Sequence, residues 1–334
     1  MPVAPTPVLK NVEKDAFRVL VTGFGPFAHY KDNPSWLAVQ PLHNKILTFD
    51  CPVVPATANE DVVMDGTDES EAISETTPRQ IHITTCKIPT TYEAVLSVVP
   101  LFHARPPVLP ESQDPNYPNL PPHEDGFDLC LHVGVAGRGP LRVERVGHKK
   151  GYNMKDASGK LAPIVPVSIS TEESGPAAGA SDPIPPSEVQ RAEMERLGYD
   201  PFGRLEDPVD GGDIPTRGLG KGYEAFDDEI HTDIDALKLV HFLKETGFED
   251  IYTSMDAGHY LCDYIYYCSL AEAKRANRNE VGKNTKVLFL HCPPVNQPHS
   301  TQEVSDAIMK TVTWICTGLQ SGEALSTVAG HVSN

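Results

Sequence analysis

Apolar runs of strand length alternate along the chain with segments whose apolar residues recur every three or four positions. That alternation predicts an α/β fold, a three-layer sandwich with helices on both faces of a mixed, mostly parallel central sheet. FRVLVTGF, Phe17 to Phe24, is the first strand, and a loop and a short helix around Ser35 to Leu42 follow it. IHITTCKIP, Ile81 to Pro89, is the next strand, and a helix runs from Thr91 to about Phe102. DLCLHVGVAG, Asp128 to Gly137, reads as a buried central strand that ends in glycines, and LRVERVG, Leu141 to Gly147, as a shorter one. Ile234, Leu237, Val240 and Leu243 predict a helix over Thr232 to Gly247, with Thr232 as N-cap and Gly247 as terminator. IYTSM is then a strand, Gly258 to Ala273 a helix, and KVLFLHC, Lys286 to Cys292, another buried strand. Ser300 and Glu303 form a capping box that opens the last helix.

Three stretches break this alternation. Residues 53–80 carry an acidic run, EDVVMDGTDESEAISE, and residues 105–125, RPPVLPESQDPNYPNLPPHED, hold proline too densely for any regular element. Residues 157–225 mix glycine- and proline-rich segments with one short predicted helix at Ser187 to Leu197. None has the apolar periodicity to bury a core of its own, so they read as loop-like or disordered insertions in a single domain spanning 1–334.

Composition narrows the function. A formal net charge of -18 over 334 residues argues against a surface that tracks nucleic-acid phosphates or binds anionic lipid. No window approaches 18 apolar residues and the first residues lack an apolar core, so neither a membrane span nor a signal peptide is expected. The seven cysteines show no CxxC or paired metal spacing, and several lie in apolar runs, which fits a reducing, cytoplasmic setting.

Two of those cysteines lie six residues apart in MDAGHYLCDYIYYCSL. A thiolate is a strong nucleophile at neutral pH. Gly258 marks a strand-to-helix turn just before Cys262, so Cys262 falls near a helix start, where N–H groups without intrahelical partners favour a thiolate and can hold an oxyanion. Cys268 lies nearly two turns further on, between apolar residues; on composition alone a cysteine in an apolar helix is more often a core residue than a reagent. His291 ends the apolar run VLFL at the C-terminal edge of a strand, the edge at which open α/β sheets bind ligands, and Cys292 beside it points to the other face. Glu144, a charge inside the alternation of LRVERV, is a candidate partner for a histidine, or a residue on the solvated face of an edge strand. GVAGRG, Gly134 to Gly139, lacks both the GKS/T ending and the GxGxxG order of nucleotide loops.

Four blocks taken together resemble pyroglutamyl peptidase I, the pyrrolidone-carboxyl peptidase family, in its eukaryotic type. They are VLVTGFGPFAHYKDNPSW, LHVGVAGRGPLRVERVGHKKGYNMKD, SMDAGHYLCDYIYYCSL and FLHCPPVNQP, with weaker support from KIPTTYEAV. The resemblance implies a cysteine exopeptidase that removes N-terminal pyroglutamyl residues through a thioester, with Glu144, Cys262 and His291 as catalytic residues. It implies that Phe24 and Phe27 flank the substrate's lactam ring. Pyroglutamylated peptides are then the partners, no cofactor or metal is required, and a monomer is the expected state. The chain departs from bacterial members in having GPFAHY after the first strand and HCPP around the histidine. Two other readings stand beside it: a nucleoside phosphorylase-like enzyme on a related scaffold, and a catalytically idle binding protein.

Overall fold

The computed structural model describes residues 12–52, 76–112, 114, 117–165, 215–279 and 284–321. Seven strands form the main sheet: β1 (Phe17–Phe24), β2 (Lys45–Pro52), β3 (Thr76–Ile88), β4 (Leu129–Val135), β5 (Leu141–Glu144), β8 (Ile251–Ser254) and β9 (Lys286–Cys292). Their order is β2-β3-β1-β4-β9-β5-β8, with the β2/β3 and β9/β5 pairs antiparallel and the others parallel. A separate ribbon pairs β6 (Val146–His148) with β7 (Glu229–His231).

Side-chain alternation along the strands decides the layers, because successive residues point to opposite faces. Val19 and Val21 of β1, Leu129, Leu131 and Val133 of β4, and Leu288, Leu290 and Cys292 of β9 enter one apolar cluster. Against that face pack α1 (Pro34–Val39), α3 (Ala236–Glu245) and α5 (Thr301–Ser321). Leu20, Cys130, Val287 and Phe289 enter the second cluster, against α2 (Tyr92–Phe102) and α4 (Leu261–Asn279). The three-layer, mostly parallel architecture expected from the periodicity is the one observed, and none of the described helices is long and apolar enough to cross a membrane.

Local chemistry sets the helix ends. The Thr91 hydroxyl caps α2 by accepting from Ala94 N–H, and the capping box at α5 forms in both directions between Ser300 and Glu303. Thr232 does not cap α3. Its hydroxyl donates to the Val287 carbonyl at 2.6 Å, because the chain just before it is drawn into β7, and Asp235 caps the helix by accepting from Lys238 N–H. LRVERVG is not one strand either: it changes sheets at Arg145, so β5 stays in the main sheet and β6 leaves to pair with β7.

The proposed insertions differ in what can be seen of them. β3 begins at Thr76, so the first reaches no further than residue 75. In the second, the described residues form no helix or strand. The flanks of the third come together through bridges of Ile164 with Arg217 and Lys150 with Gly218, and Ala162, Leu219 and Tyr223 join the second apolar cluster. The helix predicted at Ser187 to Leu197 lies outside the described residues.

Candidate active site

Strand parity brings the three candidate polar groups to one face. In β9, His291 follows Val287 and Phe289, pointing away from the side that takes Leu288, Leu290 and Cys292. In β5, Leu141 and Val143 enter the first cluster, so Glu144 faces the opposite way, toward α4. The two side chains meet: His291 Nδ1 lies 2.7 Å from Glu144 Oε1, and both residues are buried. With its proton on Nδ1, His291 donates to the carboxylate and keeps Nε2 available as a base. Arg142 Nε lies 3.9 Å from the same oxygen, the Tyr266 hydroxyl donates to the Glu144 backbone carbonyl at 2.9 Å, and the other carboxylate oxygen has no hydrogen-bond partner among the described residues.

Cys262 is the second residue of α4 and is only partly buried. The turn that delivers it is built by Asp256, whose side chain accepts from Gly258 N–H at 2.8 Å, and by Gly258 itself, at a φ of 96° that suits glycine. Gly134 locates the thiol. It is the register partner of His291 across β4 and β9, and a Cβ there would lie 2.7 Å from Cys262 Sγ and 2.7 Å from the Phe289 ring. The thiol therefore occupies the space that any other residue at 134 would fill, over the strand pair that carries the histidine. The Phe289 and His291 rings are 4.7 Å apart on that surface.

The GFGPF loop is fixed from below. Phe24 N–H donates to Ser35 Oγ, Ser35 Oγ donates to Asn33 Oδ1, and Asn33 Nδ2 and Thr90 Oγ1 both donate to the Gly25 carbonyl. Phe24 and Phe27 are buried in the cluster that contains Phe289. Phe27 reaches the nucleophile's segment directly, its ring 5.4 Å from that of Tyr260, two residues before Cys262. Phe24 shares the cluster without a ring contact of this kind among the described residues. A surface hollow of about 560 Å³ lined by Thr246, Phe248, His299 and Glu303 includes none of these residues.

No family model matches the chain. Its curated relatives include pyroglutamyl-peptidase 1 of Mus musculus and of Homo sapiens, each 24% identical over 300 residues, covering 89% of this chain and 88% of the relative. The chain is related to pyroglutamyl-peptidase 1. Among solved structures it is similar in fold to pyroglutamyl peptidase I from Bacillus amyloliquefaciens, at 15% identity and a TM-score of 0.50, with 94% of this chain and 99% of that one covered.

Relation to pyroglutamyl-peptidase 1 leaves the tasks of single residues to geometry, and geometry adds some that the sequence reading passed over. Gly134 was noted as part of a weak nucleotide-loop motif, whereas it makes room for a thiol. Tyr260 and Arg142 were not singled out; the spacing of Tyr260 two residues before Cys262, on the approach to the helix, was the available signal. Cys86, Cys130, Cys268, Cys292 and Cys316 are buried packing residues. Burial pushes Cys86, Cys268 and Cys292 each up to about 12.

Proposed function

We propose that the chain is a cysteine exopeptidase that removes N-terminal pyroglutamyl residues from peptides, with Cys262 as nucleophile, His291 as acid and base, and Glu144 as the group that orients and electrostatically supports the imidazole. The observation that carries this reading is the 2.7 Å contact of His291 with Glu144 beside a strand partner, Gly134, whose missing side chain leaves space for the Cys262 thiol. In the cycle, His291 takes the proton of Cys262 and the sulfur attacks the pyroglutamyl carbonyl carbon. The imidazolium then protonates the departing amine, leaving a thioester. Water, deprotonated by His291, releases pyroglutamate and restores the thiol. Backbone N–H groups in the first turn of α4 are the donors this reading assigns to the oxyanion, a type of support worth about 10² to 10³ in rate.

The substrate's N-terminus is blocked and uncharged, so the pocket needs no carboxylate to receive an ammonium. Phe24 and Phe27, with Tyr260 beside Phe27, give flat apolar faces suited to a lactam ring. An N-terminal proline is rejected because it lacks the lactam oxygen and carries a charge whose desolvation the pocket does not compensate. Side chains and water handle every proton and bond in this cycle, so the reading includes no cofactor. It also includes action as a monomer, and in a reducing cytoplasm, the latter supported by the buried thiols of Cys86, Cys130, Cys268, Cys292 and Cys316, none of them in a disulfide. The test is release of a fluorophore from a pyroglutamyl amide by the purified chain. Cys262→Ser abolishes it; activity that survives this change, or that appears equally on a prolyl amide, overturns the reading.

A further inference from the structure

A second cluster of reactive side chains lies one residue from the nucleophile and takes no part in the cycle above. Asp263, fully buried in the first turn of α4, faces two imidazoles from different segments. His148 closes β6, and its Nδ1 lies 2.9 Å from Asp263 Oδ2. His259 sits in the turn before α4, and its Nδ1 lies 3.6 Å from the same oxygen. The two rings are 4.5 Å apart, and the Lys150 carbonyl is 3.1 Å from His259 Nδ1.

We propose that His148, His259 and Asp263 form a binding site for a divalent transition metal of the zinc class. Zinc bonds of about 2.0–2.2 Å at tetrahedral angles separate ligand atoms by roughly 3.3 Å. The separations of 2.9 and 3.6 Å bracket that value. Two imidazole nitrogens and one carboxylate favour zinc, copper, nickel or iron over magnesium or calcium, which take oxygen ligands. Outer contacts hold the ligands in place, as such sites require. Asp263 Oδ1 accepts from the backbone N–H of His148 at 2.9 Å, which leaves Oδ2 to the metal. His259 is held at a φ of 44°, and its ring rests against Gly151, where a Cβ would come within 3.0 Å of Nδ1.

Ligation through Nδ1 exchanges the His148–Asp263 contact and the His259 contact with the Lys150 carbonyl for bonds to one ion that all three side chains share. Its binding needs both imidazoles bare at Nδ1 and protonated on Nε2, so the Nδ1 proton of each ring moves to Nε2, or from an imidazolium to solvent. The side chains of His148 and His259 are 16% and 30% exposed, which leaves a path for the ion and room for water as a further ligand. Occupancy ties the first turn of α4 to β6, beside Cys262. The proposal does not depend on the peptidase reading.

Calorimetry with zinc chloride on the full Cys262→Ser chain, which removes the partly exposed thiol as a competing ligand, tests it. One equivalent binds with micromolar or tighter affinity, and cobalt in its place gives the visible absorption of a four-coordinate site. His259→Asn, which tolerates the left-handed backbone, weakens binding at least about 10-fold, and His148→Gln does the same. Absence of binding to Cys262→Ser, or equal affinity in a folded His259→Asn chain, overturns the proposal; His259→Asn decides alone if His148→Gln does not fold.

Discussion

Helix α4 carries a cysteine in its first turn and another six residues on, about 9 Å further along the axis, in opposite surroundings. Cys262 is partly exposed and rests over Gly134, beside the strand that bears His291. Cys268 is fully buried. Its sulfur lies 3.2 Å from the Tyr223 hydroxyl, which itself donates to Glu272 at 2.7 Å. Burial raises the Cys268 thiol to about 12, so at neutral pH it is a small apolar group. The difference teaches that reactivity here is a property of position: one helix offers a reagent in its partly exposed first turn and a packing residue where its side chains interlock.

The sharpest way to break the comparison is to disable the base that distinguishes the first turn. Glu144→Gln keeps the shape of the buried side chain and removes the charge that supports the imidazolium while the thiolate forms. A drop in kcat of about 10³ to 10⁴-fold is expected, by analogy with amide replacement of the acid in a serine-protease triad. Steady-state kinetics on a pyroglutamyl amide measures it. A loss below 10-fold would mean that Glu144 is a satisfied core residue and that the first turn owes nothing to it.

Acid should act on the other end. His103 Nε2 lies 2.8 Å from the hydroxyl of Ser269, next to Cys268, and His132 Nδ1 lies 2.8 Å from Thr22 Oγ1. Both are buried and lowered to about 3, chiefly by desolvation. The unfolded chain takes up protons at these residues below about pH 6.5, whereas the folded chain refuses them until about 3, so their stabilisation is complete above pH 6.5 and is lost as pH falls. Each costs roughly 2 kcal/mol at pH 5 by this linkage. Urea unfolding at pH 7 and pH 5 should show that fall, and His103→Gln should remove about half of it. A midpoint unchanged between the two pH values would contradict the assignment of neutral, desolvated histidines.

Gly134→Ala probes the first turn from the sheet side. Its Cβ would stand 2.7 Å from both Cys262 Sγ and Phe289, so the thiol is displaced and the core overfilled. A misplacement on the order of 1 Å at a reacting atom can cost about 10²-fold in rate, and overpacking typically costs about 1–3 kcal/mol in stability. Activity should therefore fall further than the unfolding midpoint, and alkylation of Cys268 should not change. Full activity in the variant would place the thiol elsewhere.

Much of this was legible in the sequence because it rests on local periodicity. The parity of VLFLHC alone separates His291 from Cys292, and Gly258 marks the turn ahead of Cys262. Long-range facts were not legible. The antiparallel entry of β5 beside β9, which brings Glu144 to His291 across 147 positions, follows from no local pattern. β2 escaped notice because KILTFDCP pairs with β3 through a strand start hidden behind the acidic run. Thr232 looked like a cap because the pull of β7 on the preceding residues is a tertiary effect. Tyr223 sat in a proline- and glycine-rich stretch that gave no sign of docking on Glu272.

The smallest effect belongs to Cys268→Ser. The hydroxyl is smaller than the thiol and keeps a polar atom near Tyr223, and within a helix it can also donate to the carbonyl one turn back, so the expected loss of stability is about 1 kcal/mol. Activity on a pyroglutamyl amide should stay within about twofold of the parent chain, because the change lies nearly two turns from the reacting sulfur. Iodoacetamide supplies the matching chemical measure. At pH 8 a thiol raised to about 12 is roughly one part in ten thousand thiolate, and Cys268 is sealed from solvent as well, so peptide mapping should find Cys262 carboxamidomethylated long before it. Equal labelling of the two, or an activity loss in Cys268→Ser that matches Cys262→Ser, would erase the distinction between the two turns and with it the choice of nucleophile.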